Sequence, residues 1–154
     1  MIILGTTPDE VMSNGWDTHD DNFNRVAALN ADIDRGASAL LDDLAASGRL
    51  DQTLVIWMGD FGRTPRITAS QGRGHFPAAW STWLAGGGVQ GGRVIGRTSA
   101  DGSEVVDGRA GVEDLFASVA HATGMDPQRT LYANGRPISL VNEIGHPVAD
   151  LFKA

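Results

Sequence analysis

Residues 53–60 read "TLVIWMGD", an apolar run of strand length that closes on glycine and aspartate. Val55 and Ile56 are β-branched, and there is no polar alternation. Such a run reads as a strand buried on both faces, the kind found in parallel sheets. Upstream of it, Phe23, Val26, Leu29, Ile33, Leu40, Leu41 and Leu44 recur at spacings of three, four and seven, the period of an amphipathic helix. Asp20, Asp21 and Asn22 are good N-cap and first-turn residues for that helix, and Gly48 supplies its stop. Gly36 is a weak point inside it. Helix followed by buried strand predicts a βαβ-type α/β unit whose helices cover the sheet. Leu29, Ile33, Leu40, Leu44, Val55 and Trp57 should then share one core.

Working outward, residues 1–4 and Val11–Met12 offer short strands at the N-terminus. After Asp60 the chain reads as loop through "FGRTPRITASQGRGHFP", residues 61–77, rich in glycine, proline and arginine. "WSTWLAG", residues 80–86, is a second short buried strand. The glycine-rich "GGGVQGGRVIGRTSADG", residues 86–102, runs over the surface. Val112, Leu115, Phe116, Val119 and Ala120 repeat with helical period up to Gly124. The remaining tail is looped, with Asn134-Gly135 as a turn.

Composition narrows the chemistry. The chain has 154 residues, enough for one compact domain. A formal net charge of −7 argues against nucleic acid or an anionic membrane surface as a partner. No apolar run is long enough to span a membrane. There are no cysteines, so a metal would be held by His, Asp or Glu. Gly86, Gly88 and Gly91 satisfy G-x-G-x-x-G, but no helical period opens from them, which removes the dinucleotide reading.

"GWDTHDD", residues 15–21, gathers three carboxylates and one of the four histidines. In extended chain, residues two apart point to the same side, so Asp17 and His19 can reach one ion. Zn²⁺ or Mn²⁺ accepts such mixed ligands. The alternative is a turn-capping Asp17 with His19 on the surface. Asp60 closes the predicted strand at the edge where α/β sheets bind ligands; it reads equally as a turn cap. His75 in "GRGHFP" can serve a metal, with Arg73 facing an anionic oxygen in the same site. Arg63 in "FGRTP" is either a clamp for a substrate anion or a salt bridge to a nearby carboxylate.

These strings together resemble the domain-of-unknown-function 1501 family, within the alkaline phosphatase-like and sulfatase-like superfamily. The resemblance rests on "GWDTHDDNF", "LLDDLAASGRLDQTLVIWMGDFGRTP", "GRGHFPAAWSTWLAGGGVQGGRVIGRTSADG", "DLFASVAHATGMD" and "GRPISLVNEIGHPVADLF" in that order. It implies a three-layer α/β/α sandwich with a mixed, mostly parallel sheet, of which this chain is the C-terminal portion as a single domain. It also implies divalent metal, Zn²⁺ or Mn²⁺ before Ca²⁺ or Mg²⁺, and action on an anionic phosphate or sulfate ester, small or polymeric. Asp17 and His19 match the family's "DTH"; Asp60 matches the acidic residue of "GEFGRTP"; His75 matches the histidine of "GRDHW". The implied metal ligands are thus Asp17, His19, Asp60 and His75, with Arg63 and Arg73 for the anion. Asp60 stands where glutamate is usual, and Phe61 stands where phosphatases of the superfamily place a second histidine. The contrasting reading is a non-catalytic or truncated α/β module without turnover, binding a metal for structure or none. An uncovered sheet edge would favour self-association.

Overall fold

The computed structural model describes residues 15–141 and 145–152. The strands expected at residues 1–4 and at Val11–Met12 lie outside the described residues. Helix α1 spans Asn22–Ala46 and is followed by a 3₁₀ turn, Leu50–Gln52. Then come β1 (Val55–Trp57), β2 (Gly62–Arg63), β3 (His75–Phe76), β4 (Trp83–Ala85), β5 (Arg97–Thr98) and β6 (Val105–Asp107). Helix α2 (Val112–Ala122), the hairpin strands β7 (Thr130–Ala133) and β8 (Arg136–Ser139), and a second 3₁₀ turn, Ala149–Leu151, complete the order.

The expected three-layer α/β/α sandwich does not form. Among the described residues there are two helices and four separate two-stranded antiparallel sheets: β1–β4, β2–β3, β5–β6 and β7–β8. The run at residues 53–60 supplies only three strand residues, all half-buried. Its neighbour is β4, in the register Val55↔Ala85, Ile56↔Leu84, Trp57↔Trp83. A parallel partner requires a crossover of a dozen or more residues, usually a helix, whereas a loop suffices for an antiparallel return. Between β1 and β4 the chain carries only β2, β3 and loop, with no helix. It therefore comes back antiparallel. No helix opens from the glycines at 86, 88 and 91 either; the next element is β5.

Helix α1 forms where the periodicity places it and stops at Gly48, whose φ of 69° is left-handed. Its start is held differently from the expectation. Asp21 makes no capping bond with its side chain. Instead the Asp21 and Asn22 N–H groups donate to the carbonyls of Ser70 and Gln71, each at 3.0 Å. Backbone from a distant loop thus satisfies donors that side-chain caps usually take. The apolar stripe is only half-covered. Leu29, Ile33, Leu40, Leu44, Val55 and Trp57 are all half-buried, none fully. A cleft of about 660 Å³, lined by Ile33, Leu41, Trp57 and Trp83 among others, separates the helix from β1 and β4.

The fully buried apolar residues lie instead around α2: Leu115, Ala117, Ala120 and Val141 among the described residues. Two polar groups on α2 hold the chain's tail there. Ser118 Oγ accepts the Val148 N–H at 2.9 Å. Asp114 Oδ1 accepts the His146 N–H at 3.0 Å, and its Oδ2 accepts the Gly111 N–H at 2.8 Å, capping the helix. Those two N–H donors, His146 first, hold the Asp114 carboxyl below the usual carboxylate range. Asp114→Ala is expected to lower stability by about 1–2 kcal/mol, read as a Tm drop of about 2–8 °C. The sign with pH follows from the lowered folded-state pKa. The contribution is complete above the unfolded value of about 3.9 and is lost as pH falls through the folded one. Thermal melts should show the wild-type advantage over Asp114→Ala vanish on acidification; a constant difference would refute the assignment.

The tail is more ordered than a loop. Asn134 and Gly135, with φ of 51° and 76°, make the two-residue turn of the β7–β8 hairpin. Such turns need left-handed residues at both positions. No described helix is long and apolar enough to cross a membrane.

Candidate metal centre

The turn at residues 16–19 is built by two short backbone bonds, Thr18 N–H to Trp16 O at 3.0 Å and His19 N–H to Asp17 O at 3.1 Å. Thr18 points inward and is fully buried; its hydroxyl donates to Asn22 Oδ1 at 2.6 Å. With Thr18 inside, the alternation of side chains leaves Asp17 and His19 on the outer face. The turn is fastened to the rest of the fold by Trp16, whose ring meets Trp57 of β1 edge-on at 5.9 Å.

Residues 70–73 run alongside this turn. Ser70 Oγ donates to the His19 carbonyl at 2.9 Å, and Arg73 N–H donates to the Thr18 carbonyl at 3.2 Å. Gly72 is buried against the His19 backbone, and a Cβ there would collide with the His19 carbonyl. Only glycine permits this approach. Three residues beyond it, His75 enters β3 and pairs with Arg63 of β2. Directly opposed residues of an antiparallel pair share a face, so Arg63 and His75 arrive together at the Asp17 side.

Three donor atoms from widely separated positions now meet. His75 Nε2 lies 2.9 Å from Asp17 Oδ1, and His19 Nε2 lies 3.1 Å from the same oxygen. The two Nε2 atoms are 3.1 Å apart. All three side chains are about half-exposed, at 45%, 52% and 47% for Asp17, His19 and His75. Arg63 Nη2 donates to Asp17 Oδ1 at 2.6 Å. His75 and then Arg63, both hydrogen-bonded to it, bring the Asp17 pKa down to about 2, and the charge on His19 adds to this. Asp17 is therefore an anion at any near-neutral pH.

The donor set suits a divalent cation. Ligand bonds to zinc are about 2.0–2.2 Å long; two such bonds at right angles place their donors roughly 3 Å apart, as here. Two imidazole nitrogens and one carboxylate oxygen also match the borderline ions better than Ca²⁺ or Mg²⁺, which take oxygen ligands. Three electron-rich atoms facing one another at this distance repel unless protons or a cation lie among them.

The other expected site residues are not among the three converging groups. Asp60 lies three residues past the end of β1, is exposed, and accepts the Phe61 N–H at 3.1 Å; it is not one of the three converging residues. Arg73 donates to the carbonyls of Thr64 and Pro65 at 2.7 and 2.8 Å, and its guanidinium sits 5.8 Å from the centre of the Phe23 ring. Of the two readings of Arg63, the salt bridge to a nearby carboxylate is the one present. Phe61 was not singled out for any contact, yet its ring lies 4.2 Å from that of His75 and supports it. Its place two residues before Arg63, the cross-strand partner of His75, was the available signal.

No curated protein and no solved structure matches this chain. A family model described as "Protein of unknown function (DUF1501)" matches residues 9–152 of the 154, and the chain belongs to that family.

Proposed function

We propose that Asp17, His19 and His75 hold one divalent cation, Zn²⁺ or Mn²⁺. In this reading the chain is the metal-binding part of a hydrolase acting on phosphate or sulfate esters, of the alkaline phosphatase-like and sulfatase-like kind. The convergence of three ligand atoms within 3.1 Å across the contacts described carries the reading. When bound, such an ion supplies Lewis acidity that polarises an ester oxygen. The chain's own residues do the rest. Asp17 contributes a negative charge, the two histidines contribute ring nitrogens, and the half-exposed setting leaves a face open to an anionic small-molecule or polymer ester.

A second reading, metal binding without turnover, has its own support. Three hydroxyls on the described segments around the site are committed elsewhere: Thr18 to Asn22, Ser70 to the His19 carbonyl, and Thr64 to the Arg66 carbonyl. None is poised as a nucleophile. Both readings require the metal, and titration of the purified chain tests it. Zn²⁺ should bind at one ion per chain, and Co²⁺ should give a visible absorption band. Failure of Zn²⁺, Mn²⁺ and Co²⁺ alike to show saturable binding would reject both.

Self-association is expected as well. β1 and β4 pair only with each other among the described residues, so each has one edge without a strand neighbour. Such edges template pairing with another chain. Sedimentation velocity should show a coefficient that rises with protein concentration; a constant monomer value would refute this.

A further inference from the structure

We propose that Arg63 is a positioning residue of the metal centre, holding the Asp17 carboxylate in its ligating orientation, and not a clamp for a substrate anion. The inference rests on the metal reading above. Both Nη2 hydrogens are committed, one to Asp17 Oδ1 at 2.6 Å and one to the Trp16 carbonyl at 3.0 Å. Nη1 donates to the Arg73 carbonyl at 3.3 Å. The guanidinium therefore joins the turn that carries Asp17 and His19 to the loop that leads into His75. Its side chain is 23% exposed, well below the 45% of Asp17, so it supports the carboxylate from beneath. The cross-strand pairing of Arg63 with His75 fixes the second ligand from the same residue.

The side-chain type fits this role. A planar fork with several N–H groups can serve three acceptors in different directions at once. A lysine ammonium is one point charge on a flexible stem and cannot reproduce that geometry. Outer-shell residues that orient ligands typically contribute 10–100-fold to metal affinity.

The test measures Zn²⁺ affinity by chelator competition for the full chain and for Arg63→Ala, Arg63→Lys and Asp114→Ala. Arg63→Ala should bind Zn²⁺ about 10–100-fold more weakly. Arg63→Lys should recover only part of that loss, and its Co²⁺ absorption band should shift from the wild-type position. Asp114→Ala, destabilised far from the ligands in sequence, should keep wild-type affinity. If it loses as much as Arg63→Ala, the effect is global and the proposal falls. Wild-type Zn²⁺ affinity in Arg63→Ala, together with loss of inorganic phosphate or sulfate binding, would restore the anion clamp. If the wild-type chain binds no ion, it is the metal reading that has failed; if it binds and Arg63→Ala binds equally, only the positioning role is overturned.

Discussion

Replacing His75 by alanine should weaken Zn²⁺ binding by more than about 100-fold, beyond what loss of an outer-shell group removes. His75 is the ligand that arrives from farthest away, 58 residues from Asp17. Without it the remaining pair, Asp17 and His19, is a local D-x-H turn with two donors, short of the three protein ligands of catalytic zinc sites. Asp17→Asn should cause a loss of similar size for a different reason. It keeps the shape but removes the anion that Arg63 and both histidines address. Asp60→Asn is the informative contrast. Its carboxylate engages the neighbouring Phe61 N–H, so the affinity should change less than about tenfold, below the outer-shell range. Isothermal titration of the three variants decides the matter. Equal losses in His75→Ala and Asp60→Asn would make Asp60 a fourth ligand, and undiminished binding in His75→Ala would remove the centre altogether.

The candidate ligands were legible because their chemistry is carried by type. Aspartate and histidine two apart, and a histidine preceded by arginine and glycine, are few in a chain with only four histidines. What assembled them was not legible. Gly72 against the His19 carbonyl and Arg63 opposite His75 are facts of loop packing and strand register, and neither leaves a periodic trace. The helix at Asn22–Ala46 was readable from its stripe, and its N-cap falls at Asp21 as the cap residues indicate, but its first N–H groups are satisfied by carbonyls about fifty residues later and not by a side chain. The greatest departure is at residues 53–60. A short apolar run has the same composition whether its neighbour is parallel or antiparallel. Here only Val55–Trp57 form a strand, and the partner Trp83–Ala85 returns along it. The expected core failed with that topology, since a helix stripe opposed to a two-stranded pair leaves a cleft where a wider sheet would lie.

With Zn²⁺ or Mn²⁺ added, these 154 residues should still show little or no turnover of p-nitrophenyl phosphate or p-nitrophenyl sulfate. Metal binding alone does not make an ester hydrolase; a nucleophile and a cation for the developing charge are also needed. Thr18, set between two ligands, is the obvious hydroxyl, but it is fully buried and donates to Asn22. Ser70 and Thr64 are turned to backbone carbonyls. The cations proposed for the ester oxygens are occupied too: Arg63 by Asp17 and Trp16, and Arg73 by Thr64 and Pro65. An ion on three ligands retains open positions, so weak general acceleration of an activated ester is compatible with this arrangement, whereas efficient catalysis would need a nucleophile other than these three hydroxyls. The assay compares wild type, metal-free wild type and His75→Ala on both esters. Rates that coincide across the three bear out the prediction, and the titration decides whether a metal is bound. Metal-dependent turnover abolished by His75→Ala would overturn the prediction and place a working nucleophile within reach of Asp17, His19 and His75.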